Sequence, residues 1–181
     1  MRIVGISGSL RRYSYNSGLL RAAAELMPEG AVLDSVSIAG VPLYNGDVET
    51  AGMPDAVIAL KDAIASADGL LLVTPEYNNS IPGVFKNAID WASRPPEDAR
   101  RVFGGRRVAL IGASPGGFGT ILSQDAWLSV FRTLGMRPWF EGRLMVSRAG
   151  NLFDAESNLT DAPTRELLRT FLAGFCEAVA G

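Results

Sequence analysis

Arg2-Ile3-Val4-Gly5-Ile6-Ser7 leads directly into Gly8-Ser9-Leu10-Arg11-Arg12-Tyr13-Ser14-Tyr15-Asn16-Ser17. The first six residues form a short β-type run with an apolar interior. The rest are polar and rich in hydroxyls, and a helical pattern follows from Ser17 to Met27. A strand whose interior is apolar on both sides asks for cover on both faces of its sheet, the condition of a parallel sheet. The alternation then repeats along the chain: Val32 to Ile38, Gly69 to Thr74, Arg107 to Gly112 and Pro138 to Val146 read as four further strands. Pro54 to Ala67, Pro82 to Ser93, Thr120 to Gly135 and Ala162 to Val179 read as helices, with apolar residues three and four apart, such as Val57, Leu60 and Ile64. Pro54 and Pro82 suit first-turn positions, where a missing N–H costs nothing. Five strands in strict alternation with helices predict an α/β fold. The expected form is one domain over residues 1–181, a doubly wound five-stranded parallel sheet in the order 2-1-3-4-5 with helices on both faces. Ligands of such a sheet bind beyond the carboxyl ends of its strands, at the switch point between the first and third.

Composition narrows the chemistry. A net charge of −2 offers no field for gripping nucleic acid or an anionic membrane, so neither is expected as a partner. The amino terminus lacks the apolar core of a secretion signal, and the single Cys176 forms no internal disulfide, so a reducing cytoplasm is the expected location. The chain has no histidine, which removes the usual zinc and copper ligand sets and the commonest general base. Chemistry must come from carboxylates, hydroxyls, backbone groups or a borrowed cofactor.

Three loops reach the ligand-binding edge. In the first, the helix amino terminus offers unpaired N–H groups and a positive dipole end. Ser9, Ser14 and Ser17 hydroxyls, the Asn16 amide and the Arg11 guanidinium add donors suited to a phosphate monoester. The glycine pattern of a dinucleotide turn and the Gly-Lys-Ser/Thr ending of a triphosphate loop are both absent. An equally open reading makes Ser and Asn plain helix caps. The second loop, Thr74-Pro75-Glu76-Tyr77-Asn78-Asn79-Ser80-Ile81-Pro82-Gly83, sets an aromatic between two prolines as a shelf for a flat heterocycle; an ordinary strand-to-helix turn also explains it. The third, Ala113-Ser114-Pro115-Gly116-Gly117-Phe118-Gly119, uses glycine where side chains would block a ring. Its Gly112-x-Ser114-x-Gly116 pattern matches a hydrolase elbow, but no His exists to deprotonate the serine and Pro115 has no N–H for an oxyanion.

Gly8-Ser9-Leu10-Arg11-x-x-Ser14-x-Asn16 resembles the phosphate loop of the NADPH-dependent FMN reductase family of flavodoxin-like proteins, which includes bacterial quinone, chromate and azo-dye reductases. Thr74-Pro75-Glu76-Tyr77-Asn78, followed by Ile81-Pro82-Gly83 and Lys86-Asn87-Ala88-Ile89-Asp90-Trp91, resembles its flavin-ring segment. The resemblance implies that Ser9, Leu10, Arg11, Arg12, Tyr13, Ser14, Tyr15 and Asn16, with Ser17, hold the phosphate of FMN, Arg11 as its positive partner. It implies that Pro75, Glu76, Tyr77 and Asn78 meet the isoalloxazine, and that Ser114, Gly116 and Gly117 close the third side. It further implies NADPH or NADH as co-substrate, small acceptors such as quinones, chromate, azo compounds or free flavin, and a homodimer or homotetramer. The flavin carries the hard chemistry, so no catalytic side chain is needed, and two substrates sharing one ring face predict ping-pong kinetics. A flavodoxin-like electron carrier and a reductase that releases reduced flavin to a monooxygenase are the rival readings.

Outside these loops, Lys86 and Asp90 read as an i, i+4 ion pair, Trp91 as core and Cys176 as a small buried hydrophobe. The basic run Arg100, Arg101, Arg106, Arg107 reads as a solvated loop, with subunit contact or an NADPH phosphate as its functional alternatives.

Overall fold

The computed structural model describes all 181 residues. Its elements in chain order are β1 (Arg2–Ser7), α1 (Tyr15–Glu25), β2 (Val32–Val36), α2 (Gly46–Ala51), α3 (Asp55–Ala65), β3 (Gly69–Val73) and α4 (Gly83–Ala92). A 3-10 turn (Pro96–Asp98), α5 (Ala99–Phe103), β4 (Arg107–Ala113), α6 (Ile121–Leu134), β5 (Arg137–Pro138), β6 (Leu144–Val146), a second 3-10 turn (Ala149–Asn151) and α7 (Ala162–Ala180) complete it. The strands are all parallel in the order β2-β1-β3-β4-β5, the expected switch lying between β1 and β3. The alternation of β3 builds both cores: Leu71 and Val73 pack under α1 and α7, while Leu70 and Leu72 pack under α3, α4 and α6.

The expected fifth strand is broken. Val108 pairs with Pro138 and Ile111 with Leu144, so two residues of β4 face five of its partner, and Trp139 to Arg143 loop out between β5 and β6. Aromatic burial accompanies the break: Trp139 N–H still donates to Val108 O at 2.9 Å, its ring packs on Phe171 and Phe175 of α7 at 5.1 and 5.8 Å, and the chain leaves the ladder after it. Pro54 and Pro82 stand one residue ahead of their helices as caps, and α1 starts at Tyr15, two residues earlier than its apolar period, because Ser14 caps it. Helices α2 and α5 are too short to register as a period.

Lys86 and Asp90 pair at 2.7 Å, and Trp91 is fully buried with its Nε1 donating to Pro42 O at 2.9 Å. Cys176 is buried, and that burial raises its thiol pKa. In the basic run Arg100 and Arg101 are solvent-exposed as expected, but on α5 rather than in a loop. Arg101 pairs with Asp98 at 2.6 Å and, with Lys61 beyond it, holds that carboxyl well below the usual carboxylate range. Arg106, half-buried, donates to the carbonyls of Ala65, Ala67 and Val102 and closes the end of α3. Arg107 opens β4, which puts this run at the amino-terminal edge of the sheet, opposite the three loops.

Candidate functional site

The first loop starts with a tight entry. Gly8 N–H donates to Val73 O at 2.9 Å, and a β-carbon at Gly8 would lie 2.2 Å from the Phe85 ring, so only glycine lets the chain turn there. Ser14 caps α1: its Oγ accepts from the N–H groups of Asn16 and Ser17 at 3.2 and 3.3 Å. The hydroxyl hydrogen of Ser14 is left over for a ligand. Ser9 Oγ accepts from Arg11 N–H at 3.3 Å, also keeping its own hydrogen to donate. Five backbone N–H groups of this turn, those of Leu10, Arg12, Tyr13, Ser14 and Tyr15, donate to nothing within the chain. Such a run of unspent donors at the positive end of a helix suits an anion. The Arg11 guanidinium lies over the Tyr15 ring and that of Arg12 over Tyr13, each 5.4 Å from the centroid. Neither has a carboxylate partner, so both charges are available.

Two expected donors have structural work. Asn16 is buried, and its amide spans the sheet edge: Nδ2 donates to Ala113 O at 2.8 Å while Oδ1 accepts from Ala113 N–H at 2.9 Å. This ties the first loop to the third and leaves one amide N–H for a ligand. Ser17 Oγ pairs with Ser7 Oγ at 3.1 Å, beneath the loop.

In the second loop, Thr74 Oγ1 meets Ser123 Oγ at 2.8 Å and accepts from Trp127 Nε1 at 3.1 Å, which fixes the buried Pro75 after it. The Glu76 carboxylate accepts from the N–H groups of Leu122 and Ser123 at 2.9 and 3.0 Å, so this side chain caps α6. Both bonds end on Oε2, which leaves Oε1 and the backbone for a ligand. Glu76→Gln is expected to weaken this remote cap by about 1 kcal/mol, read as a lowered thermal midpoint of the purified protein. Tyr77 and Ser80 exchange both backbone hydrogen bonds at 3.1 Å around Asn78 and Asn79, whose φ values of 51° and 61° make a type I′ turn. The turn stands Tyr77 up half-exposed beside the cleft.

The third loop is pinned from a direction the sequence does not indicate. Ser114 N–H donates to Val146 O at 2.9 Å, Arg148 N–H to Gly116 O at 2.9 Å, and Ala149 N–H to Ser114 O at 3.0 Å. Residues 147–152, after β6, are thus a fourth loop at the same edge, and β6 is hidden in sequence because the strand before it is broken.

Ser9, Arg11, Ser14, Tyr15, Asn16, Pro75, Glu76, Tyr77 and Ser114 line one cleft of about 320 Å³, joined by Ala113 and Pro115, which sequence reasoning did not single out. Leu10, Arg12 and Tyr13 are exposed beside it, and Asn78, Gly116 and Gly117 lie on the turns that flank it. Unspent N–H groups, free hydroxyls and a guanidinium at one end, with an aromatic shelf and a glycine loop beyond, fit a phosphate monoester joined to a flat ring. No group of His, Cys, Asp and Glu side chains is placed to hold a metal ion. No helix is long and apolar enough to cross a membrane.

The model of the NADPH-dependent FMN reductase family matches residues 1–151. The chain is 46% identical to an NAD(P)H-dependent FMN reductase of Pseudomonas aeruginosa, covering 93% of this chain and 90% of that one. It is 41% identical to a 2-hydroxy-1,4-benzoquinone reductase of a Burkholderia species, covering 95% and 92%. Among solved structures, the flavoenzyme NAD(P)H:(acceptor) oxidoreductase of Paracoccus denitrificans superposes with a TM-score of 0.87 at 32% identity, over 99% of this chain and 97% of that one.

Proposed function

The chain belongs to the NADPH-dependent FMN reductase family, and we propose that the cleft between its first three loops is where it performs that family's chemistry. It is an FMN-dependent NAD(P)H oxidoreductase with quinones as acceptors. Bound FMN supplies the acceptance of a hydride from NADPH or NADH and its onward delivery as electrons. The chain's own residues bind and orient. The N–H groups of Leu10, Arg12, Tyr13, Ser14 and Tyr15, the hydroxyls of Ser9 and Ser14, and Arg11 hold the phosphate. Pro75 and Tyr77 support one side of the ring, and Ser114, Gly116 and Gly117 close around its other edge. Glu76 and Asn16 position these loops through α6 and Ala113. Chromate, azo compounds and free flavin fit the same open chemistry as further acceptors.

The observation that carries this assignment is the row of unspent N–H donors at the start of α1. The test is direct: the purified protein is expected to take up FMN, show flavin absorbance bands, and oxidise NADPH or NADH when given a quinone. A protein that stays colourless with FMN and oxidises neither nucleotide overturns the reading. Arg11→Ala is expected to weaken FMN binding by about 1.5 to 3 kcal/mol, roughly 10- to 150-fold, in a fluorescence titration. Unchanged affinity would show that the helix terminus and hydroxyls suffice.

The same reading takes all 181 residues as one flavin-binding domain, supported by the packing of α7 against α1. It includes a homodimer or homotetramer, supported by the exposed apolar side chains of Leu43, Ile121 and Phe140. A reducing cytoplasm suits the lone, buried Cys176.

A further inference from the structure

NADPH brings a second phosphate monoester, its 2′-phosphate, to a cleft whose first wall is already committed to the phosphate of FMN. Each group carries close to two negative charges at pH 7, so the two repel and need separate cations. The run Arg100, Arg101, Arg106, Arg107 is at the wrong edge of the sheet to serve. Four arginines without a carboxylate partner stand toward this edge; Arg21 is spent on the carbonyls of Glu156 and Ser157 and on Asn158 Oδ1, which leaves Arg11, Arg12 and Arg148. Arg11 and Arg12 belong to the FMN phosphate loop and lie over their own tyrosines.

Arg148 stands on the fourth loop, which meets the third loop on one side and Tyr15 on the other. Its N–H holds Gly116 O at 2.9 Å, Ala149 after it holds Ser114 O at 3.0 Å, and a β-carbon on Gly150 would be 3.7 Å from Tyr15 Oη. Ser114 and Tyr15 both line the cleft, so Arg148 is at its rim. Its guanidinium is exposed and makes no hydrogen bond or ion pair within the chain. Its backbone is left-handed, with φ 52° and ψ 41°, a conformation that disfavours any residue bearing a β-carbon and that collects at functional sites. Glycine would make this turn without strain.

We propose that Arg148 forms an anion subsite for the 2′-phosphate of NADPH and thereby sets the preference for NADPH over NADH, which lacks that group. The planar guanidinium fork matches a phosphate with two parallel hydrogen bonds. The proposal rests on the assignment of the cleft to FMN and the pyridine nucleotide.

Arg148→Gly keeps the left-handed turn and removes the guanidinium; Arg148→Lys keeps the charge and loses the fork. In Arg148→Gly, the ratio of kcat/KM for NADPH to that for NADH is expected to fall about 10- to 100-fold, through the KM for NADPH, with partial recovery in Arg148→Lys. Calorimetric binding of adenosine 2′,5′-bisphosphate is expected to weaken by a similar factor while that of AMP does not. A ratio that stays constant, with both nucleotides falling together, overturns the proposal, as does an FMN affinity that falls in step with NADPH. If the wild-type protein fails to bind FMN, the cleft assignment itself falls, a result visible before any variant is made.

Discussion

Asn16→Ala is expected to destabilise the protein by roughly 2 to 5 kcal/mol and to impair FMN binding at the same time. The substitution removes both partners of Ala113, whose N–H and C=O bond to the Asn16 amide at 2.9 and 2.8 Å where water is excluded. A buried backbone group left without a partner costs about 1 to 3 kcal/mol, and two are orphaned together. For a chain of this size that is a fall of about 5 to 15 °C in thermal midpoint. Asn16 also holds the start of α1 against the end of β4, so the first and third loops of the proposed FMN cleft lose their common brace. Asn16→Asp sharpens the test. It keeps the acceptor for Ala113 N–H but sets a carboxylate against Ala113 O, and is expected to recover little. Melting curves of the apoprotein and FMN titration measure the two effects separately; a thermal midpoint unchanged in both variants would refute the role.

Gly112→Ala adds one methyl group and is expected to be nearly as damaging, at about 3 kcal/mol, the upper end of ordinary overpacking. The new β-carbon would lie 2.1 Å from Thr120 Oγ1 and 2.2 Å from the Thr74 carbonyl oxygen. Neither neighbour has room to withdraw. Both threonines are fully buried, and Thr74 is held by its N–H to Ile111 O at 2.9 Å and by its hydroxyl to Ser123 at 2.8 Å. The clash is relieved only by parting β3 from β4 at their carboxyl ends, which separates the second and third loops of the cleft. Weaker FMN binding together with a thermal midpoint lowered by about 6 to 12 °C is the expected outcome. A variant that melts like the wild type and binds FMN normally would show that this edge yields more easily than its buried contacts indicate.

Both variants strike residues whose roles differ in how far they were legible. Asn16 stood out in sequence as a polar donor, yet which group it serves depends on a residue 97 positions away. Glu76 is a similar case: the loop motif marked it for the ring, while the fold turns its carboxylate onto the amino terminus of α6, 46 residues on. Pro138 to Val146 has the apolar content of a strand, and no local pattern announces that the chain leaves the ladder after Trp139, whose ring packs on the α7 aromatics. That departure hid β6, and with it the fourth loop and Arg148. Arg106 of the basic run is hidden for the same reason, since carbonyl partners on α3 and α5 are invisible to a charge pattern.

The amino-acid order alone determined the layers, the strand order and the three loops that reach the ligand-binding edge. Apolar periodicity, caps and turn residues act over a few neighbours, and each strand-loop-helix unit states its own geometry. The tertiary structure alone decided which polar atoms are spent holding loops together and which remain free for a ligand. That division depends on which distant segments meet at the sheet edge, where a buried donor or acceptor must take the partner it finds.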